Sequence, residues 1–260
     1  MIRLLPFALS ALIGLPALAD TAGDPAELAR SWNGARVWLP DAPNYAADVQ
    51  ALDSTEVTGA VVLYAHGCDG LSRITDATGR FLARAGHAVI APDSFARANK
   101  PVSCIPAQHR GSLHRRVLTW RQAELAHAME RIADTPGLRR LPLVLMGHSE
   151  GAITVATIAA PDAPRIIEGW TCHAGWPEYR GLNALHDTAV LALVGANDPW
   201  FRLPVLQGDC GAFMRDHPQG RSVVFQPPHY LHNRHYLSGD REVQALILSF
   251  IAESISAGLQ

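Results

Sequence analysis

The chain has no run of basic residues. Its 22 Lys and Arg are set against 24 Asp and Glu, and without a cationic tract nothing tracks a phosphate backbone or holds an anionic membrane surface. Nucleic acid is therefore not an expected partner. Charge of either sign is sparse, at 18% of residues against 48% hydrophobic, which excludes a disordered chain and supplies a core. No repeat, low-complexity tract or internal linker divides the sequence, and a single α/β domain accommodates 260 residues. Cysteine is scarce too: Cys68, Cys104, Cys172 and Cys210 are the four, and none stands in the Cys-x-x-Cys knuckle usual in zinc sites.

A membrane-spanning run is also missing, since crossing a bilayer takes about 20 apolar residues. The apolar stretch Leu4 to Leu15 is shorter and is broken by Pro6 and Gly14. With Arg3 before it and Ala17-Leu18-Ala19 after it, it reads as a secretory signal peptide. The expected organisation is a signal peptide over residues 1–19, cleaved after Ala19, and one domain over residues 20–260. That domain would be periplasmic or extracellular and free of the membrane, with Asp20 to Arg30 as a loosely held lead-in. In an oxidising compartment its thiols would tend to pair.

What is present is a series of short apolar runs without polar alternation: 61–65, 88–91, 143–146, 165–167, 190–194 and 223–225. Strands of this kind are buried on both faces. Between several of them lie helical patterns, the clearest being Leu118, Leu125, Met129 and Ile132, stopped by Pro136-Gly137. Alternating buried strands and helices imply a mostly parallel sheet covered on both sides, an α/β fold. Loops at the carboxyl ends of such strands build the site, and Asp93 to Arg110 reads as a long one.

The run 143–146 leads into Gly147-His148-Ser149-Glu150-Gly151 and then an apolar helical segment. A strand, a sharp G-x-S-x-G turn and a helix form the setting of a nucleophilic serine, here Ser149. A serine needs a base, and the base needs a carboxylate. Asp198 follows the run 190–194, and His229 follows 223–225, in the chain order Ser, Asp, His. Asp187 and Asp209 are rival acids. His232 is the alternative base, and His235 extends a His-x-x-His-x-x-His series that also admits a metal reading, although no HExxH partner supports one. His148 and His66, beside glycine turns, suit structural hydrogen bonding. For the oxyanion, the backbone N–H groups of Glu150 and Cys68 are the candidates, Cys68 lying in the turn His66-Gly67-Cys68-Asp69-Gly70.

Taken together, the segment 60–71, the segment 91–95, the Ser149 turn, the Asp198 turn and the His229 loop resemble the dienelactone hydrolase family. The resemblance spans about Ala60 to His235. It implies an α/β-hydrolase sheet of about eight strands without a lid domain, a Ser149, Asp198, His229 triad, and cofactor-free hydrolysis of an ester, lactone or related acyl bond in a small molecule. Dienelactone hydrolases proper carry cysteine where Ser149 stands, and hold a substrate carboxylate with arginines. Arg97, Arg202 and Arg234 lie near strand-end loops, but none falls in a matching motif. A polyester depolymerase or peptidase would use the same triad, and a binding module could retain the fold with the triad idle. Strand adjacency in that fold also implies two disulfides, Cys68 with Cys104 and Cys172 with Cys210.

Overall fold

The structure, a computed structural model, describes residues 21–54, 57–160 and 162–257. The expected signal peptide lies outside the described residues. Seven strands form one sheet: β1 (Arg36–Trp38), β2 (Val61–Ala65), β3 (Ala88–Ala91), β4 (Leu143–His148), β5 (Arg165–Glu168), β6 (Val190–Gly195) and β7 (Gly220–Phe225). Their order is β1-β3-β2-β4-β5-β6-β7, parallel throughout except for the antiparallel edge pair β1 and β3. The resemblance implied about eight strands. At the β1 edge the chain turns back through Pro40 and Pro43, and Ala47 meets Val37 as a single antiparallel bridge in place of a further strand.

Side chains along a strand point alternately to its two faces, and both faces are covered. Leu63, Ala65, Ile90, Leu145, Ile167 and Ala192 join one core with residues of α1 (Pro25–Asn33), α3 (Val117–Asp134) and α4 (Glu150–Thr157). Val62, Tyr64, Val89, Val144, Met146, Ile166 and Leu191 join the other, with residues of α2 (Arg73–Arg84) and α5 (Arg241–Ala257). That double burial is why the strands read as unbroken apolar runs. The region expected as a loose lead-in instead holds α1, whose N-terminus is capped by the Asp24 carboxylate accepting from Ala26 N–H, with proline in the first turn. Ser72 and Thr75 close a reciprocal capping box at the start of α2.

The helix behind the serine turn is held at both ends. At its far end the buried Arg165 guanidinium donates to the carbonyls of Val155, Ala156 and Ile158, satisfying acceptors that a helix C-terminus leaves open. At its near end α4 lies so close to β2 that a Cβ on Gly151 would sit 1.9 Å from the Ala65 carbonyl oxygen. Backbone, unlike the tip of a flexible side chain, cannot yield there. Gly151→Ala is therefore expected to cost ~3 kcal/mol or more, a fall in Tm of roughly 6–12 °C for a chain of this size. A melting curve within ~2 °C of wild type would contradict this packing.

Candidate active site

Ser149 sits at the hinge between β4 and α4 with φ 57° and ψ −120°, a strained region for a residue with a side chain. Two close approaches permit it, because a Cβ on Gly147 would also meet the Gly151 carbonyl at 2.2 Å. The Ser149 amide is anchored to the Glu168 carbonyl on the adjoining strand, at 2.9 Å. A cavity of about 530 Å³ opens above the turn, and Ser149, Glu150, Cys68, Trp170, Trp200 and His235 are among the residues that line it.

Asp198 ends the turn after β6 and is buried. One of its carboxylate oxygens accepts from Trp200 N–H at 3.0 Å, and the other lies 2.7 Å from Nδ1 of His235. Since a carboxylate only accepts, that contact puts a proton on Nδ1 and leaves Nε2 as the free basic position of a neutral ring. Nε2 of His235 is buried without a protein partner. Trp200 stacks on the ring with centroids 5.1 Å apart, while Phe201 and His148 meet it edge-on.

The structure brings His235, rather than His229 or His232, against Asp198. His229 accepts from Leu231 N–H through Nδ1, stacks on Tyr230, and has Nε2 3.4 Å from Glu242. His232 is 3.1 Å from the Asn197 side-chain amide. Neither is joined to Asp198. The reason is the path of the chain after β7: turns closed by His229 N–H to Gln226, His232 N–H to His229 and Arg234 N–H to Leu231 carry it across the ends of β6 and β5 before His235 is reached. There the buried Glu168 carboxylate accepts from the amides of Leu237 and Ser238 and from the Ser238 hydroxyl. Gly169, with φ 68°, lets the loop approach, since a Cβ there would be 2.7 Å from the His235 carbonyl. A buried acid inside an apolar strand, Glu168, was the one sequence signal that some later segment must supply donors to it.

The rival acids have other partners: Asp187 pairs with His186 at the surface, and Asp209 accepts from Gly211 N–H and the Ser222 hydroxyl. Of the arginines, Arg202 lines the cavity, Arg97 is buried in an ion pair with Glu124, and Arg234 is exposed. Arg110, not singled out by sequence, also lines the cavity. Among the described residues no cluster of His, Cys, Asp or Glu could hold a metal ion, and no helix is long and apolar enough to cross a membrane. Disulfides join Cys68 to Cys104 and Cys172 to Cys210. The first ties the candidate oxyanion turn to the long loop after β3.

No protein-family model matches the sequence, and no curated protein matches it. Solved structures do. A dienelactone hydrolase from Anabaena variabilis aligns with a TM-score of 0.53 at 19% identity, covering 77% of this chain and 89% of its own. XC6422 from Xanthomonas campestris, described as an α/β serine hydrolase without a lid, aligns at 0.52 and 14%, covering 85% and 88%. Est1E from Butyrivibrio proteoclasticus, solved with ferulic acid bound, aligns at 0.54 and 14%, covering 86% and 95%. The fold is that of the α/β hydrolases, and it is shared with dienelactone hydrolases. Among the described residues no separate lid domain is present.

Two buried histidines near the site carry a consequence for stability. His66 and His148 are held well below the usual imidazole range, in both cases chiefly by burial; the Arg121 charge adds to this at His66, and His235 at His148. In the unfolded chain they take up protons near pH ~6.5, so below that value the unfolded state binds more protons and stability falls as the solution is acidified. Each contributes up to ~1.4 kcal/mol per pH unit below that point. Chemical denaturation between pH 7 and pH 5 should show a steep loss, reduced in His66→Gln. An unchanged midpoint over that range would contradict neutral burial of these rings.

Proposed function

We propose that this chain is a serine hydrolase acting on a small ester or related acyl bond, with Ser149, His235 and Asp198 as its triad. The observation that supports it most is the 2.7 Å pairing of His235 with Asp198, which leaves the opposite ring nitrogen unpartnered beside the cavity that Ser149 also lines. In this reading Ser149 Oγ attacks the carbonyl carbon while Nε2 of His235 takes the hydroxyl proton. Asp198 holds the ring in the required tautomer and stabilises the charge it gains. The amides of Cys68 and Glu150, which have no backbone partner among the described residues, receive the oxyanion. Collapse of the tetrahedral intermediate passes the proton from His235 to the leaving alcohol. Water then repeats the sequence on the acyl-enzyme, returning the proton to Ser149.

The cavity wall favours an apolar group on the substrate. Trp170, Trp176, Trp200, Phe201 and Leu206 line it, and Leu113, Leu203 and Val205 stand exposed at its margin. We read residues 1–19 as an export signal cleaved after Ala19, so that the domain over residues 20–260 works outside the cytosol. Two disulfides agree with such a compartment.

Ser149→Ala and His235→Ala should each lower ester turnover by at least ~10³-fold in a protein that still folds. His229→Ala, by contrast, should keep turnover within ~3-fold of wild type. Initial rates on one activated ester check all three, and the reading fails if His229→Ala is inactive while His235→Ala turns over normally. A second experiment tests the wall: kcat/KM on aryl esters should rise from acetate to hexanoate, because each buried CH2 contributes ~0.8 kcal/mol. A series that falls from acetate onward would contradict an apolar subsite.

A further inference from the structure

The hydrolase reading leaves a buried charged group unused beneath the turn that carries Cys68. Glu150 directly follows Ser149, and its side chain is buried. It meets Arg121 of α3 at 2.7 Å and accepts from the Ser103 hydroxyl. Both partners of the ion pair are almost wholly buried, with side chains 3% and 8% exposed. A pair so deep is costly to desolvate and contributes little to stability compared with apolar packing of the same volume. Its placement matters more. The same guanidinium donates to the carbonyl oxygens of His66 and Gly67. His66 accepts from Ser94 N–H through Nε2, and its Nδ1 lies 2.7 Å from the Gly67 oxygen and 2.8 Å from the Arg121 guanidinium.

The carbonyl of Gly67 thus accepts from the Arg121 guanidinium and from Gly70 N–H, each at 3.3 Å. The peptide unit from Gly67 to Cys68 is planar and trans, so its C=O and N–H point in opposite directions from one rigid plate. Fixing the oxygen inward on Arg121 aims the Cys68 N–H the other way, and Cys68 borders the cavity. Glu150 sets the guanidinium from the other side, and its own backbone N–H opens α4 beside Ser149. One ion pair therefore spans both candidate oxyanion donors. The loop bearing Ser103 is bound to the same place by the adjacent Cys104–Cys68 disulfide.

We propose that Arg121 and Glu150 are positioning residues for the oxyanion hole, holding the Cys68 amide at the angle that the tetrahedral intermediate requires. The assignment rests on the hydrolase reading above. It is a claim about transition-state stabilisation, so substrate binding and the histidine base should be left alone. Arg121→Lys keeps the charge but loses the fork that reaches two carbonyls. The double variant Arg121→Gln/Glu150→Gln removes both charges together, which avoids an unpaired buried ion and preserves folding.

The experiment measures kcat, KM and the pH profile on a hexanoate aryl ester, together with the affinity of an alkyl boronic acid that forms a tetrahedral adduct on serine. Expected for both variants are a 10- to 100-fold fall in kcat, an equal loss of boronate affinity, KM within ~3-fold and an unmoved pH midpoint; loss of one oxyanion donor costs ~10²–10³ in kcat, and misaiming one costs less. If either folded variant keeps both kcat and boronate affinity within ~2-fold of wild type, the assignment is overturned. A loss confined to melting temperature, or a shifted pH midpoint with boronate binding intact, overturns it as well. A wild type that a fluorophosphonate does not label at Ser149 overturns the hydrolase reading and this assignment with it, whereas a labelled wild type with unaffected variants overturns the assignment alone.

Discussion

Ser149 occupies a backbone conformation that its neighbours must force, and the rest of the site is arranged around that constraint. At φ 57° the serine stands at the apex between β4 and α4, and the turn closes only because Gly147 and Gly151 carry no side chain where backbone passes within about 2 Å of a would-be Cβ. The strain is held by the surroundings: the Ser149 amide is fixed to the Glu168 carbonyl, and α4 is capped at its far end by Arg165. Glu168 links the two halves of the site. Its backbone anchors the serine and its carboxylate anchors the segment just after His235, so a single residue of β5 sets Ser149 and His235 relative to each other.

Burial governs the chemistry on both sides of this turn. Below it lies a compact polar layer of Glu150, Arg121, His66 and Ser103 in which each charged side chain meets an opposite charge or a fixed dipole. Above it the cavity is walled by aromatic and aliphatic side chains. Electrostatic interactions gain strength where water is excluded, and in the proposed reaction donors aimed from the lower layer would act on a carbonyl held against the upper one. The two disulfides lie on the periphery of the site. One fixes the Cys68 turn to the loop after β3, and the other fixes the segment after β5 to the segment after β6.

Much of this was legible in the residues themselves. The central strands declared themselves because both faces are buried, which turns Val61-Val62-Leu63-Tyr64-Ala65 into an unbroken apolar run. The serine turn was legible because its glycines and its strand-to-helix setting are local. β1 escaped notice: it has three residues and owes its place to pairing with β3 rather than to any pattern of its own. α1 carried a usable signal in Asp24-Pro25, a capping acid followed by proline. Which histidine meets Asp198 was not legible, since His229, His232 and His235 recur at equal spacing and differ in where the turns after β7 deliver them. That path depends on Glu168, about 70 residues away. The Arg121–Glu150 pair is likewise non-local, and no spacing rule announces it.

The central claim, that Ser149 attacks with His235 as its base, is tested most directly by trapping the acyl-enzyme. Wild-type protein mixed with an activated ester and acid-quenched within milliseconds should carry one acyl group, and peptide mapping should place it on Ser149. The account predicts that this adduct forms in near-stoichiometric amount in wild type and at least ~10³-fold more slowly in His235→Ala. Turnover with no adduct at Ser149, or an adduct formed as fast without His235 as with it, would contradict the account.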